Sequence, residues 1–182
     1  MKQDYQAAQE DPTLRQDFLE TVHLEDAQEY IKSVIYFDKH HWTHKVTGIK
    51  ENVLVDGFMY IPHVQKGIVL VSPNAFNRKY EDFLSILIDH EGHHARQRME
   101  AKGFWRAYLG KKPNPLLELP AISNQMERFC ERGVSFPFYV TLLGHFSRFE
   151  EEIQKNPHFK RDLEKMLCKS PYDDALRERF GL

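Results

Sequence analysis

His90, Glu91, His93 and His94 sit together in the run FLSILIDHEGHHARQRMEA, residues 83–101. The run begins as apolar helix. Phe83, Leu87, His90, His94 and Ala101 follow steps of four, three, four and seven and so share one stripe. Buried stripes rarely hold imidazoles and a carboxylate without compensation, and a metal ion supplies it. His90 and His94 are four apart, so their imidazoles project one turn from each other. Two neutral imidazoles at that spacing can bind one tetrahedral Zn²⁺ through nitrogen at about 2.0–2.1 Å. Glu91 follows the first of them, about 100° round the helix. From there its carboxylate reaches a water at the metal without being a ligand. Zinc lowers the pKa of such a water to about 7, and the carboxylate takes the proton. His90-Glu91-Gly92-His93-His94 is thus an H-E-x-x-H arrangement, whose chemistry is peptide hydrolysis with Glu91 as general base. His93, at i+3 from His90, points off the stripe and is a weaker candidate ligand than His94.

The elements that must hold these residues can be read along the chain. Asp11-Pro12 has the form of an N-cap followed by proline in a first turn. Leu14, Phe18, Val22, Ala27, Ile31, Val34 and Ile35 then carry helical spacing, which predicts one or two helices over residues 11–38. Residues 44–73 are rich in Val, Ile, Phe and Tyr and are broken at Glu51-Asn52, Asp56-Gly57 and Lys66-Gly67, the pattern of short strands and turns. GIVLVS is the best of these strands, with the continuous apolar character of a strand buried on both faces. The histidine helix is predicted from about Lys79 to Lys102, stopped by Gly103. After the loop LGKKPNP, helices are predicted over about 115–132, from Pro137, after Asn156-Pro157, and through YDDALRERF to Gly181. The fold class is α+β: an N-terminal helical segment (1–43), a core with a small sheet, the motif helix and a further helix (44–133), and a C-terminal helical subdomain (134–182).

A strand, then an HExxH helix, then a later helix bearing glutamate resembles the zincin metallopeptidases. More narrowly, the order over residues 53–132 is similar to the gluzincins, especially the small single-domain minigluzincins. The metzincin extension is missing, because Glu100 stands where a third histidine would be. The resemblance implies a zincin-like domain, one Zn²⁺, a peptide or protein substrate, and a glutamate from a following helix as third ligand. A catalytic zinc takes three protein ligands and keeps one open position. Glu118, 24 residues beyond His94, is the favoured candidate, since its neighbours Leu117, Leu119 and Ala121 imply burial with a partner. Glu127, among Arg128, Glu131 and Arg132, is the second choice and reads as a solvated face. Glu100 is the third.

Two features depart from the family pattern or strain it. Pro120 either begins the helix near Glu118 or kinks it. Gluzincins also carry an aspartate four residues after the glutamate, hydrogen-bonded to a ligand histidine, and Ile122 stands there instead. Asp89, Asn124 and Gln125 are the candidates to replace it. Gly92 within the helix costs about 1 kcal/mol relative to alanine, and reads either as a close backbone approach or as simple tolerance. In larger relatives a histidine or tyrosine on the helical subdomain hydrogen-bonds the oxyanion. His145 and Tyr139 are the weak candidates for that role, beside a structural one. His40, His41 and His44 form a further cluster, better read as a polar helix end than as a second metal site. GIVLVSPNAF, taken as the sheet edge beside the helix, would hold an extended peptide by main-chain hydrogen bonds.

Composition narrows the classes. With 182 residues, 41% hydrophobic and 13% aromatic, the chain can bury a core of its own. A net charge of −2 gives no case for nucleic acid or an anionic membrane surface, and no apolar run has the length of a membrane span. The first residues lack the apolar stretch of a secretory leader, and Cys130 and Cys168 are too few for a disulfide framework. These features predict a cytoplasmic protein. The competing expectation is a metal-binding or interaction protein that keeps the zincin fold without turnover.

Overall fold

The structure, a computed structural model, describes residues 1–37, 57–61, 66–100, 114–168 and 170–182. Helices predominate around a small mixed sheet, as the α+β class requires. Helix α1 (Lys2–Glu10) carries no strong apolar signal, yet it buries Tyr5 and Ala8. The Tyr5 ring lies 5.0–5.8 Å from the rings of Phe18, Phe76, Tyr80 and Phe83, and this aromatic group forms the middle of the first core. Asp11 caps a short 3-10 turn by accepting from the Thr13 amide at 2.9 Å, with Pro12 at its first position. Helix α2 (Arg15–Thr21) buries Phe18 and Leu19, and a second 3-10 turn spans Glu25–Glu29.

The expected helix over 11–38 ends well before Ile31. Residues Ile31–Tyr36 form strand β1, which runs parallel to β3 (Gly67–Val71) from Ile31–Gly67 to Tyr36–Val71. Ile31, Val34 and Ile35 fit helical spacing, but β-branched and aromatic residues fit a pleated sheet better once a partner strand is present. Strand β2 (Phe58–Ile61) pairs antiparallel with the other side of β3, Phe58 opposite Val71 and Ile61 opposite Ile68. The order is β1-β3-β2. GIVLV is therefore the central strand and not the edge, with Val69, Leu70 and Val71 buried. Its continuous apolar run is the signature of that central place. The predicted strands before Gly57, the expected stop at Gly103 and the cluster His40, His41 and His44 lie outside the described residues.

After β3 the chain enters α3 (Tyr80–Leu84), passes through a π-helical turn at Ser85–His90, and continues as α4 (Glu91–Glu100). Gly92 is needed for packing. A Cβ there would lie 2.8 Å from the Ala27 Cβ of the second 3-10 turn. The close-approach reading of this glycine is therefore the correct one.

Asn114 caps α5 (Pro115–Glu127) through the Leu116 amide at 3.0 Å. Pro120 lies inside this helix and does not begin it. Its missing N–H leaves the Leu116 carbonyl without the usual helical donor. Helix α5 buries Leu116, Leu117, Leu119 and Ile122 against three further helices: α7 (Phe136–Lys155), α8 (Pro157–Met166) and α9 (Pro171–Phe180). A short α6 (Phe129–Arg132) stops at Gly133, and α9 stops at Gly181, both glycines with positive φ. Among the described residues no helix is long and apolar enough to cross a membrane.

Candidate metal centre

His90 and His94 come from either side of the junction between the π turn and α4, and Glu118 comes from the first turn of α5. The two Nε2 atoms are 3.1 Å apart, and the rings meet nearly edge to face, 88° between planes. One carboxylate oxygen of Glu118 lies 3.3 Å from His90 Nε2, and the other lies 3.6 Å from His94 Nε2. Among the described residues these three are the His/Cys/Asp/Glu group arranged to share a metal ion. A tetrahedral zinc with bonds of about 2.0–2.1 Å sets its ligand atoms about 3.3–3.4 Å apart. The three observed separations bracket that value, so the donor set fits the ion.

The outer nitrogens explain why both Nε2 atoms face inward. His90 Nδ1 is 2.9 Å from Gln125 Oε1, and His94 Nδ1 is 3.0 Å from Gln97 Oε1. An amide oxygen only accepts, so each Nδ1 carries the proton and each Nε2 offers its lone pair. Two lone pairs 3.1 Å apart require a cation or a proton between them. Without metal, a proton on His94 answers. Burial pushes its pKa down, but Glu118, Glu91 and the Gln97 hydrogen bond outweigh burial and raise it to about 9. For Glu118, burial opposes ionisation, and the two histidines overcome it and hold the carboxyl well below the usual range.

Glu91 opens α4 and is buried, and its charge acts on His94. His93 projects to another helix: its Nε2 is 3.5 Å from Asp173 Oδ1 at the start of α9. Glu127 is exposed near the end of α5, and Glu100 accepts from Tyr30 and Arg96 at 3.1 and 3.2 Å. Glu118 is thus the carboxylate brought to the histidines. His145 is exposed on α7, while the Tyr139 ring packs on Phe129 with centroids 4.5 Å apart.

Of the residues considered in place of the missing aspartate, Gln125 alone meets one of the two candidate ligand histidines. Asn124 donates to the Asp89 carbonyl at 2.6 Å. The Asp89 side chain is bound by Arg128 and Arg132, which also hold Glu25. Gln97 was not anticipated. Its signal was its position, seven residues after His90 and three after His94, on the same face of the helix. The π turn has no evident sequence signal, though such turns recur at functional sites. No protein-family model, curated protein or solved structure matches this chain.

Proposed function

We propose that this chain is a zinc-dependent metallopeptidase with a zincin-like core. The observation that carries the reading is the convergence of His90 Nε2, His94 Nε2 and the Glu118 carboxylate at separations a tetrahedral ion needs. The order of elements supports it: β3, the motif helix, then the glutamate-bearing α5. His90, His94 and Glu118 hold the ion. Bound Zn²⁺ supplies a Lewis acid that acidifies water and polarises the scissile carbonyl. Glu91, next to His90 but outside the ligand group, takes the proton of the attacking water and delivers it to the leaving amine. A metal held only for structure has no use for a buried carboxylate at that position. The substrate is a peptide or protein in the cytoplasm. With β3 interior, an extended peptide would pair along β2, an edge among the described strands that packs near α4.

Zinc content and peptide cleavage test the reading together. The wild type is expected to hold about one zinc per chain, and His94→Ala to lose it. Glu91→Gln is expected to keep zinc and lose cleavage by about 10²–10⁴-fold. Absence of stoichiometric zinc in the wild type, or an active Glu91→Gln, refutes the assignment.

A further inference from the structure

We infer that Gln97 and Gln125 are positioning residues for the metal, and that they are not equivalent: position 125 accepts a carboxylate and position 97 rejects one. The inference rests on the metal-site reading above. Both amides are almost completely buried. Each spends its oxygen on an imidazole Nδ1 and its NH₂ on a second fixed partner. Gln125 donates to Ser85 Oγ at 3.3 Å, and Gln97 donates to the Leu117 carbonyl at 3.3 Å. The Leu117 carbonyl, which only accepts, fixes which end of the Gln97 amide faces His94, and the Ser85 hydroxyl accepts from the Gln125 NH₂ with its oxygen turned to His90. With Nδ1 engaged by these oxygens, both histidines turn Nε2 toward the shared point.

The chemistry of the acceptor matters as well. A carboxylate on Nδ1–H makes an imidazole a stronger donor to a metal, whereas a neutral amide leaves the metal more electron-poor. Asp89, beside His90, does not supply that charge, because Arg128 and Arg132 bind it at 2.8 Å each. The centre therefore combines correct imidazole orientation with weak electron supply. This favours a strong Lewis acid over the tightest retention of the ion.

The two second contacts separate the positions. A serine hydroxyl can donate or accept, so a carboxylate at 125 keeps both Ser85 and His90 as partners. A backbone carbonyl can only accept, so a carboxylate at 97 sets oxygen against oxygen. Zn²⁺ affinity, measured by competition with a chelating dye, reads the difference. Folding is followed in parallel by circular dichroism and melting in EDTA. Gln125→Glu is expected to tighten zinc by about tenfold, and Gln97→Glu to weaken it by at least that factor. Gln125→Met and Gln97→Met, of similar volume, are each expected to weaken it about 10–100-fold with the fold retained. The two methionine variants decide the matter if Gln97→Glu fails to fold. Wild-type affinity in both methionine variants overturns the inference while leaving the metal site standing. Equal effects of the two glutamate substitutions, in folded proteins, overturn the asymmetry. A wild type that binds no zinc overturns the metal-site reading and this inference with it.

Discussion

Glu118 and Gln125 lie two turns apart on α5 and meet the two nitrogens of a single imidazole, that of His90. The Glu118 carboxylate is 3.3 Å from Nε2, and the Gln125 amide oxygen is 2.9 Å from Nδ1. One helix therefore both brings the carboxylate to the candidate metal group and meets the outer nitrogen of its partner on the motif helix. Seven residues are about two α-helical turns, so the two side chains can share a face only if the helix runs on through Pro120, as it does. Gln97 reaches across to the Leu117 carbonyl of the same helix at 3.3 Å and ties the two helices together beside Glu118.

Glu118 and Glu127 are distinguished by zinc binding. Glu118→Gln keeps the shape of the side chain and removes the anionic donor. It is expected to weaken zinc by more than the ~10–100-fold typical of an outer hydrogen bond. At a fixed zinc concentration the ion then also raises the melting temperature less, because a ligand at free concentration L stabilises a fold by RT ln(1 + L/Kd). Glu127→Gln, at an exposed position, is expected to leave both unchanged. Equal loss in the two variants counts against the assigned ligand set.

Gly92→Ala tests the contact between the motif helix and the turn at Glu25–Glu29. Alanine at a helix interior gains about 1 kcal/mol in propensity. Against this stands a Cβ 2.8 Å from that of Ala27, in a helix fixed by its other contacts. Overpacking of this kind costs about 1–3 kcal/mol, so net destabilisation is expected in urea unfolding. A more stable variant would show that the turn yields freely.

Arg132 holds two acids at once, the fully buried Asp89 and the part-exposed Glu25. Arg132→Met leaves Asp89 with Arg128 as its remaining cation in the network, and a loss of about 3 kcal/mol is expected near neutral pH. The loss should shrink on acidification. The hydrogen bonds from Arg132 hold Glu25 down at about 2, below its ordinary 4.5. That contribution is fully present above about 4.5 and disappears as the pH falls toward 2. Asp89, raised by burial against the pull of the arginines, loses its charge on the same descent. A deficit independent of pH would mean that Arg132 acts through packing alone.

The cluster of His90, His94 and Glu118 was legible because it lies on local geometry. His90 and His94 fall on one stripe by counting, and Glu118 stood out as a carboxylate among leucines. The helices from α5 onward carried explicit stops and caps, namely Gly133, Asn156-Pro157 and Gly181. What could not be read was decided by distant partners. Ile31–Tyr36 is a strand because β3 lies beside it, and no local count of apolar residues reveals a parallel partner. The hydrogen-bond roles of Gln97 and Gln125 depend on the packing of α4 against α5. The interior place of β3 followed from its composition, yet the notion of a peptide-binding edge there ignored β1.

Asp173 offers the sharpest dependence on pH. It is fully buried at the start of α9, 3.5 Å from His93 Nε2. Burial raises its pKa from 3.8 to about 6, against the weaker opposing effects of Ser170 and the arginines Arg96 and Arg177. The folded state therefore binds a proton that the unfolded chain releases, and above pH 6 the buried charge is a penalty. Asp173→Asn removes the charge and nearly keeps the shape. It is expected to stabilise the protein by on the order of 2 kcal/mol above that pH. The gain should fade as the pH drops from about 6 toward 3.8, where the wild-type carboxyl is itself neutral. Thermal melts of both proteins across this range check it. A variant that is less stable at neutral pH would mean that the charge pairs with a protonated His93 and holds α9 to the motif helix.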